Sequence, residues 1–445
     1  MPADRLDVDL FAHPCTEAAS VLEQVSAGER ASAALGARIA RGRLNAERAE
    51  LLSGLVYGVL RCERRLDEAL REAANGQAAT EQASGWLQKA VAVALLERRA
   101  NLDAQTARGL VAGVAWERLS QANQAVLARA DPLRRVALSG SLPDWLSACL
   151  LREYGQEAEP LAASLSEPAP RSLRANALVT GVAELRARLQ AEGARVREGA
   201  SAKRALRIEG AFNPFVTRAF HEGAFELQDE GSQLVCELVA PPPRGLVVDA
   251  CAGAGGKTLA LAAALEGRGK VLALDVDARK LSELRKRAKR AGAANVQPLL
   301  LEESGPFPAA AAAALGRVDR LLVDAPCSGT GVLRRNPEVR RLLSPDAVAR
   351  LAATQLEIVE RMLPLLSAGG RLIFATCSLL REEGEDVMDA IEAAHSELVP
   401  VDLAEVYDRA YVDRFVRSAP HRLRLFPHLH GTDGFFIGCL RKRRT

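Results

Sequence analysis

Between residues 49 and 70 the chain reads AELLSGLVYGVLRCERRLDEAL, and Leu52, Leu55, Val56, Val59, Leu60, Leu66 and Leu70 return every three or four positions. That period puts one apolar stripe along an α-helix. Asn75-Gly76 is the expected stop. The same Ala-, Leu- and Arg-rich texture runs through residues 1–135, which are expected to form an all-α domain. A further helix is predicted within LSGSLPDWLSACLLREYG (138–155), with Ser141 as N-cap and Pro143 in the first turn.

From 140 to 240 the pattern becomes mixed. RSLRANALV and ALRIEG alternate like strands, and GVAELRARLQAEG between them reads as a helix ended by Gly193. A small α+β module is expected there. After APPPRG (240–245), a natural hinge, the segments LVVDA, KTLALAAAL, KVLALDV, ARKLSELRKRAKRAG, RLLVDA and RLIFATC alternate strand and helix. This rhythm predicts a doubly wound α/β domain over 241–445, a parallel sheet with helices on both faces. PAAAAAALG (308–316) reads as a short Ala-rich helix.

Length supports this division, since 445 residues suffice for about three domains. A net charge of +3 is too small to announce a nucleic-acid partner by itself. No basic leader followed by an apolar core is present, and no apolar run approaches the roughly 18 residues of a membrane span, so a cytoplasmic protein without membrane contact is expected. Eight cysteines (15, 62, 149, 236, 251, 327, 377 and 439) lack any C-x-x-C pair and are expected as free thiols. Cys62, Cys149, Cys236 and Cys439 fall in apolar-periodic stretches and are expected in the core, as are Trp86, Trp116 and Trp145. Arg171, Arg174, Arg195, Arg197, Lys203, Arg204 and Arg207 make the α+β module basic, for phosphates or simply as a solvated face. RKLSELRKRAKR (279–290) is expected to be a solvated helix face.

LVVDACAGAGGKTLA (246–260) runs from a strand through a glycine turn into a helix, a turn that lets backbone approach a ligand closely. A dinucleotide fingerprint would need glycine at Thr258, and a phosphate loop would need glycine at Cys251. S-adenosylmethionine fits better. Cys251, Ala252, Gly253, Ala254, Gly255, Gly256 and Lys257 are the expected cofactor loop, and Asp275, about 20 residues past the glycines, can accept hydrogen bonds from ribose hydroxyls.

Two further blocks, LLVDAPCSGTGVLRRNPE (321–338) and GRLIFATCSLLREEGED (370–386), each place a cysteine just past an apolar run. With DACAGAGGKT upstream they resemble the signature blocks of the Sun/Fmu (Nop-Sun) family of RNA cytosine-5 methyltransferases. HGTDGFFIGCLRK (430–442) resembles the family's closing strand. The resemblance implies a Rossmann-like class I methyltransferase domain that uses S-adenosylmethionine. It implies Cys377 as the nucleophile that adds to carbon 6 of cytosine, and Cys327 as the group that assists product release. It further implies Asp324 bound to the cytosine ring or the cofactor, and Lys257 steadying the thiolate. LVYGVLRCERRLDEAL resembles the NusB-like helical domain in front of the bacterial ribosomal members, which points to small-subunit ribosomal RNA as substrate. A monomer with no obligate protein partner is expected.

The chain departs from the family in reading C-A-G-A-G-G-K where C-A-A-P-G-G-K is usual, and in offering Glu302 where an aspartate follows the third strand. Arg334 and Arg335, just after the first cysteine block, are expected on phosphates, and the target base is expected in unstacked, single-stranded or loop RNA. Transfer RNA is the alternative substrate. A P-loop NTPase built on Gly256-Lys257-Thr258 would leave both cysteines idle. A zinc site on Cys251, Cys327 and Cys377 lacks histidine and closed-site spacing, so no metal is expected.

Overall fold

The computed structural model describes residues 13–74 and 85–444, and the stop expected at Asn75-Gly76 lies outside them. Two compact units divide the chain, one reaching to Pro168 and including Leu333–Leu342, the other made of Ala169–Val332 and Leu343 onward.

The first unit is helical. Its helix Ala46–Ala73 starts at Asn45, whose side chain accepts the Arg48 N–H, and buries Leu52, Leu55, Val56, Val59, Leu60, Leu66 and Leu70, the stripe anticipated from the period. Trp116, 3% exposed, packs into the same core, while Trp86 and Trp145 are only half-buried. Helices Pro132–Gly140, Asp144–Tyr154 and Ala158–Ser164 stay in this unit, burying Leu138, Leu142, Leu146, Leu150 and Leu161. By compactness the helical unit runs to Pro168. Ser141 is not an N-cap. With φ +51 it closes the helix Pro132–Gly140, its N–H bonding back to Ala137 and Leu138, and Pro143 takes the N-cap position of the next helix.

The chain leaves the second unit after Val332, contributes Leu333–Leu342 to the helical unit and returns at Leu343. Arg340 anchors this excursion. Only 5% exposed, it donates to the carbonyls of Gly140 (3.1 Å), Leu333 (3.3 Å) and Leu165 (2.6 Å). Burial lowers its pKa to about 10. Arg61 Nε donates to the Arg334 carbonyl, and Arg341 pairs with Glu63 at 2.6 Å.

The second unit contains two sheets. Strands β1 (Arg171–Ala175), β2 (Arg195–Glu198), β3 (Ala205–Glu209) and β4 (Phe225–Leu227) form an antiparallel sheet in the order β2-β3-β1-β4. Helix Val182–Ala191, followed by Gly193 at φ +88, packs Leu185 and Leu189 against Leu173, Leu206 and Phe225.

The larger sheet holds β5 (Leu246–Asp249), β6 (Lys270–Asp275), β7 (Val296–Leu300), β8 (Val318–Asp324), β9 (Leu366–Thr376), β10 (Leu398–Pro400), β11 (Val416–Ala419), β12 (Arg422–Leu425) and β13 (Phe435–Lys442). The order is β11-β12-β13-β9-β8-β5-β6-β7, with β10 beside β13. Strands β5 to β9 run parallel, and β13 joins β9 antiparallel. Val247, Val248, Leu272, Leu274, Leu321, Leu322 and Val323 are buried, as strands covered on both faces require. This is the doubly wound α/β fold anticipated for 241–445. Strand order reverses at β5, and ligands in such sheets bind at the carboxyl ends beside that reversal. No helix among the described residues is long and apolar enough to cross a membrane.

Arg340→Met is expected to destabilise the helical unit by about 2–4 kcal/mol, because three buried carbonyls lose their donors. All three tryptophans lie in this unit, so a urea titration followed by tryptophan fluorescence reads it directly. An unchanged midpoint would show that the excursion does not depend on Arg340.

Candidate active site

Strands β8 and β9 are parallel neighbours with Asp324 opposite Ala375. Cys327 comes three residues past the end of β8 and Cys377 one past the end of β9, and their sulfurs lie 3.3 Å apart as free thiols. The loops carrying them are tied together. Gly331 N–H donates to the Cys377 carbonyl (2.9 Å), Leu379 N–H to Thr330 Oγ1 (2.8 Å), and Gly434 N–H to the Gly331 carbonyl (2.9 Å). A Cβ at Gly331 would collide with the backbone of Gly434.

The glycine turn between β5 and the helix Gly256–Ala264 faces these loops. Gly253 (φ +54) and Gly255 (φ +90) adopt left-handed backbone, and a Cβ at Gly255 would strike Leu284. Asp275, ending β6, accepts the Gly253 N–H at 2.7 Å and the Asp277 N–H at 2.8 Å. Two arginines hold the turn from outside. Arg174 donates to the Gly256 carbonyl (2.7 Å) and Arg287 to the Ala254 carbonyl (2.8 Å), the latter balanced by Glu226 at 2.8 Å.

A cavity of about 680 Å³ joins the two regions, within the size range of small-molecule sites. Cys251, Gly253 and Asp275 line one part, and Asp324, Cys327 and Cys377 another. Lys257 reaches Asp324 with Nζ at 2.6 Å from Oδ2.

The chain's similarities fit this geometry. The model of the family described as 16S rRNA methyltransferase RsmB/F matches residues 236–441, and the ferredoxin-like domain model of the same proteins matches 142–214. Probable ribosomal RNA small subunit methyltransferase B of Bacillus subtilis strain 168 is 36% identical over 315 residues, 70% of this chain and 69% of that relative. The corresponding protein of Xanthomonas campestris is 32% identical over 72% of this chain and 71% of its own. The chain belongs to the RsmB/F family of RNA methyltransferases. Among solved structures, a methyltransferase homolog protein from Pyrococcus horikoshii matches with a TM-score of 0.60 and 26% identity over 70% of this chain and 99% of that one.

In this RsmB/F-family site the hydrogen bond with Cys377, then burial, push the Cys327 thiol well up, so Cys327 holds its proton. Burial works against the charge on Lys257, but Asp324, Cys236 and Cys377 together outweigh it and hold its pKa above the ordinary lysine value. Burial pushes Cys251 up, leaving it an unreactive thiol at the cavity wall. Burial also raises Asp249, at the end of β5, to about 7 despite the hydrogen bond from Thr258 (2.7 Å).

Several expected residues sit elsewhere. Glu303, not Glu302, lines the cavity; the Glu302 side chain lies beside Gly305, and its carbonyl accepts Arg361. The strand alternation that would aim a side chain inward stops at Leu300. Arg334 is 3% exposed, so the phosphate contact expected of it is closed to it here, whereas Arg335 is half-buried. Arg174 and Arg207 serve the interior, Arg207 pairing with the fully buried Glu230. Arg287 and Arg290 likewise pair with Glu226 rather than facing solvent.

Glu383 was not anticipated. Fully buried, it accepts Ser328 N–H at 2.7 Å, the Ser328 hydroxyl, and Gln355 Nε2 at 3.3 Å. Its own carbonyl accepts Thr376 Oγ1 at 2.9 Å. One side chain thus links the residue after Cys327 to the segment carrying Cys377. The only sequence signal was an acid in REEGED six residues past Cys377.

Glu383→Ala is expected to reduce methyl transfer by about tenfold to a hundredfold through misplacement of Cys327. Cofactor affinity, read by calorimetry, should not change. The folded protein keeps the Asp249 proton up to about pH 7, the unfolded chain only to the ordinary aspartate value near 4, so stability from this group falls as pH rises between them. Asp249→Asn removes that slope. Thermal melts of both proteins without cofactor should nearly coincide near pH 4 and diverge by pH 7 with the variant higher; a constant offset would rule out this titration.

Proposed function

We propose that this protein transfers a methyl group from S-adenosylmethionine to carbon 5 of a cytosine in 16S ribosomal RNA, through a transient bond between Cys377 and the base. The 3.3 Å approach of the two sulfurs carries the reading. A hydrolase or NTPase has no use for a thiol pair at this spacing, whereas cytosine C5 methylation needs one group to add to carbon 6 and another to assist its departure.

The residues present suit the cofactor. Asp275 stands where ribose hydroxyls would be accepted, and Val276, 54% exposed beside it, offers an apolar wall for an adenine. When bound, S-adenosylmethionine supplies an electrophilic methyl group. Lys257, held by Asp324, lies close enough to the Cys377 sulfur for that sulfur to favour the charge on the lysine. Cys377 adds as thiolate, which makes carbon 5 electron-rich.

Cys327 then enters through a change in charge. While Cys377 is free, its sulfur helps hold the proton on Cys327. Once that sulfur is bonded to carbon its negative charge is gone, and Cys327 passes its proton to water in the open cavity more readily. As thiolate it takes the carbon-5 proton after methyl transfer, and the bond from carbon 6 to Cys377 breaks to return that sulfur as thiolate. Relatives named as ribosomal RNA small subunit methyltransferase B support ribosomal RNA over transfer RNA.

Cys377→Ala is expected to abolish methyl transfer and to form no covalent RNA complex. Cys327→Ala should accumulate one on a denaturing gel. RNA carrying 5-fluorocytosine should trap the wild type through Cys377; turnover of that RNA without a trapped protein overturns the covalent reading, and adducts from Cys377→Ala instead would exchange the two assignments.

A further inference from the structure

A second concentration of charge lies on the large sheet, towards the edge opposite the sulfurs. Arg320 on β8, Arg371 on β9 and Arg441 on β13 are direct neighbours in register. Residues in register share a face, so three guanidinium groups stand in one row, an arrangement that like-charge repulsion disfavours. Arg320 and Arg371 precede Asp324 and Thr376 by four and five residues, roughly 13–17 Å along the strands. With Lys442, Arg443 and Arg444 they line an open cavity of about 740 Å³, where Glu405 is the one carboxylate among the lining residues.

Interactions inside the protein account for part of this row. Arg320 Nε donates to the carbonyls of Val239 and Ala240 (3.1 Å each), and Arg371 donates to Ala240 (3.0 Å), at the C-terminal end of helix Glu230–Val239. A helix terminus offers about half a negative charge, too little for six cations. Arg441 approaches Glu405 only at 3.5 Å in an exposed pair, which contributes little. Lys442 donates to the Leu366 carbonyl. Burial, then Arg371 and further down Arg441, lower Arg320 to about 10, and Asp319 and Cys439 offset this only in part.

We propose that this cavity binds phosphate groups of the RNA backbone, as an anchor separate from the cysteines, a proposal that rests on the RNA-methyltransferase reading above. The chemistry is that of guanidinium forks on phosphate oxygens, prearranged by the strand register and the helix carbonyls. Soluble phosphates share this chemistry, and two measurements separate the sources.

The test uses the full chain, Arg443→Glu/Arg444→Glu, and Arg371→Gln, which keeps a donor for Ala240. Unchanged S-adenosylmethionine affinity certifies the methyltransferase fold of each. Tripolyphosphate should bind the wild type by calorimetry and bind both variants at least tenfold more weakly; no binding to the wild type overturns the site. For RNA, the slope of log affinity against log salt should become shallower in the double variant by about one to two, at roughly 0.7 per lost single-strand phosphate contact. Tripolyphosphate binding with an unchanged RNA slope would assign the cavity to a soluble anion and overturn the RNA anchor. Trapping by 5-fluorocytosine RNA tests the catalytic reading independently, so the two can fail separately.

Discussion

Adjacent parallel pairing of β8 and β9 is the constraint on which the chemistry depends. Asp324 faces Ala375, and from that register the two chains need only three and two further residues to bring sulfur against sulfur. A slip of one residue would send every side chain to the opposite face and draw the thiols apart by about 3.3 Å. Apolar residues on both faces of both strands prevent such a slip, since either face would then bury the wrong set. Beyond the strand ends this protection stops, and loops alone would not hold two thiols in contact. Glu383 replaces it there. A buried carboxylate is costly unless its oxygens are satisfied, and here they are satisfied by the Cys327 loop itself.

The glycine turn after β5 solves a related problem differently. Glycines that let backbone approach a ligand also deprive the loop of side chains to pack. Its carbonyls are instead gripped by Arg174 from β1 and Arg287 from the helix Ala278–Arg290, with Glu226 of β4 offsetting the buried charge. The small antiparallel sheet thus supports the glycine turn directly. Removing one partner of such a buried network leaves an uncompensated charge, so these positions are coupled and not interchangeable.

Local period made much of the fold legible. The stripe in Ala46–Ala73, the alternating strands and helices after 245, and the glycine turn depend on neighbours within a few residues, and each stands where its pattern placed it. The two cysteines were legible because their blocks combine a strand, a thiol and a turn. Arg334 and Arg174 were not, because burial is set by partners far along the chain: the group on the Arg334 carbonyl, Arg61, is 273 residues away. Glu302 and Glu303 are consecutive acids beyond a strand end, where no period distinguishes inward from outward. Ser141 failed as an N-cap because its hydroxyl instead accepts the N–H of Arg64, 77 residues away, while its backbone closes the helix Pro132–Gly140.

Net charge concealed the distribution that matters. Arg207, Arg287, Arg290 and Arg422 are paired with carboxylates, while Arg174 and Arg340 are tied mainly to neutral oxygens. At the cysteines, Lys257 and Asp324 nearly cancel. The cytosine ring of the proposed reaction is uncharged and gains little from a net field, so the proposed reaction centre needs placement more than attraction. Phosphates need the reverse, and screening confines that attraction to about 8 Å at physiological salt. The proposed phosphate anchor accordingly lies where cations outnumber their partners, at the row crossing β8, β9 and β13. Keeping it there leaves Cys327 and Cys377 outside the field of that row.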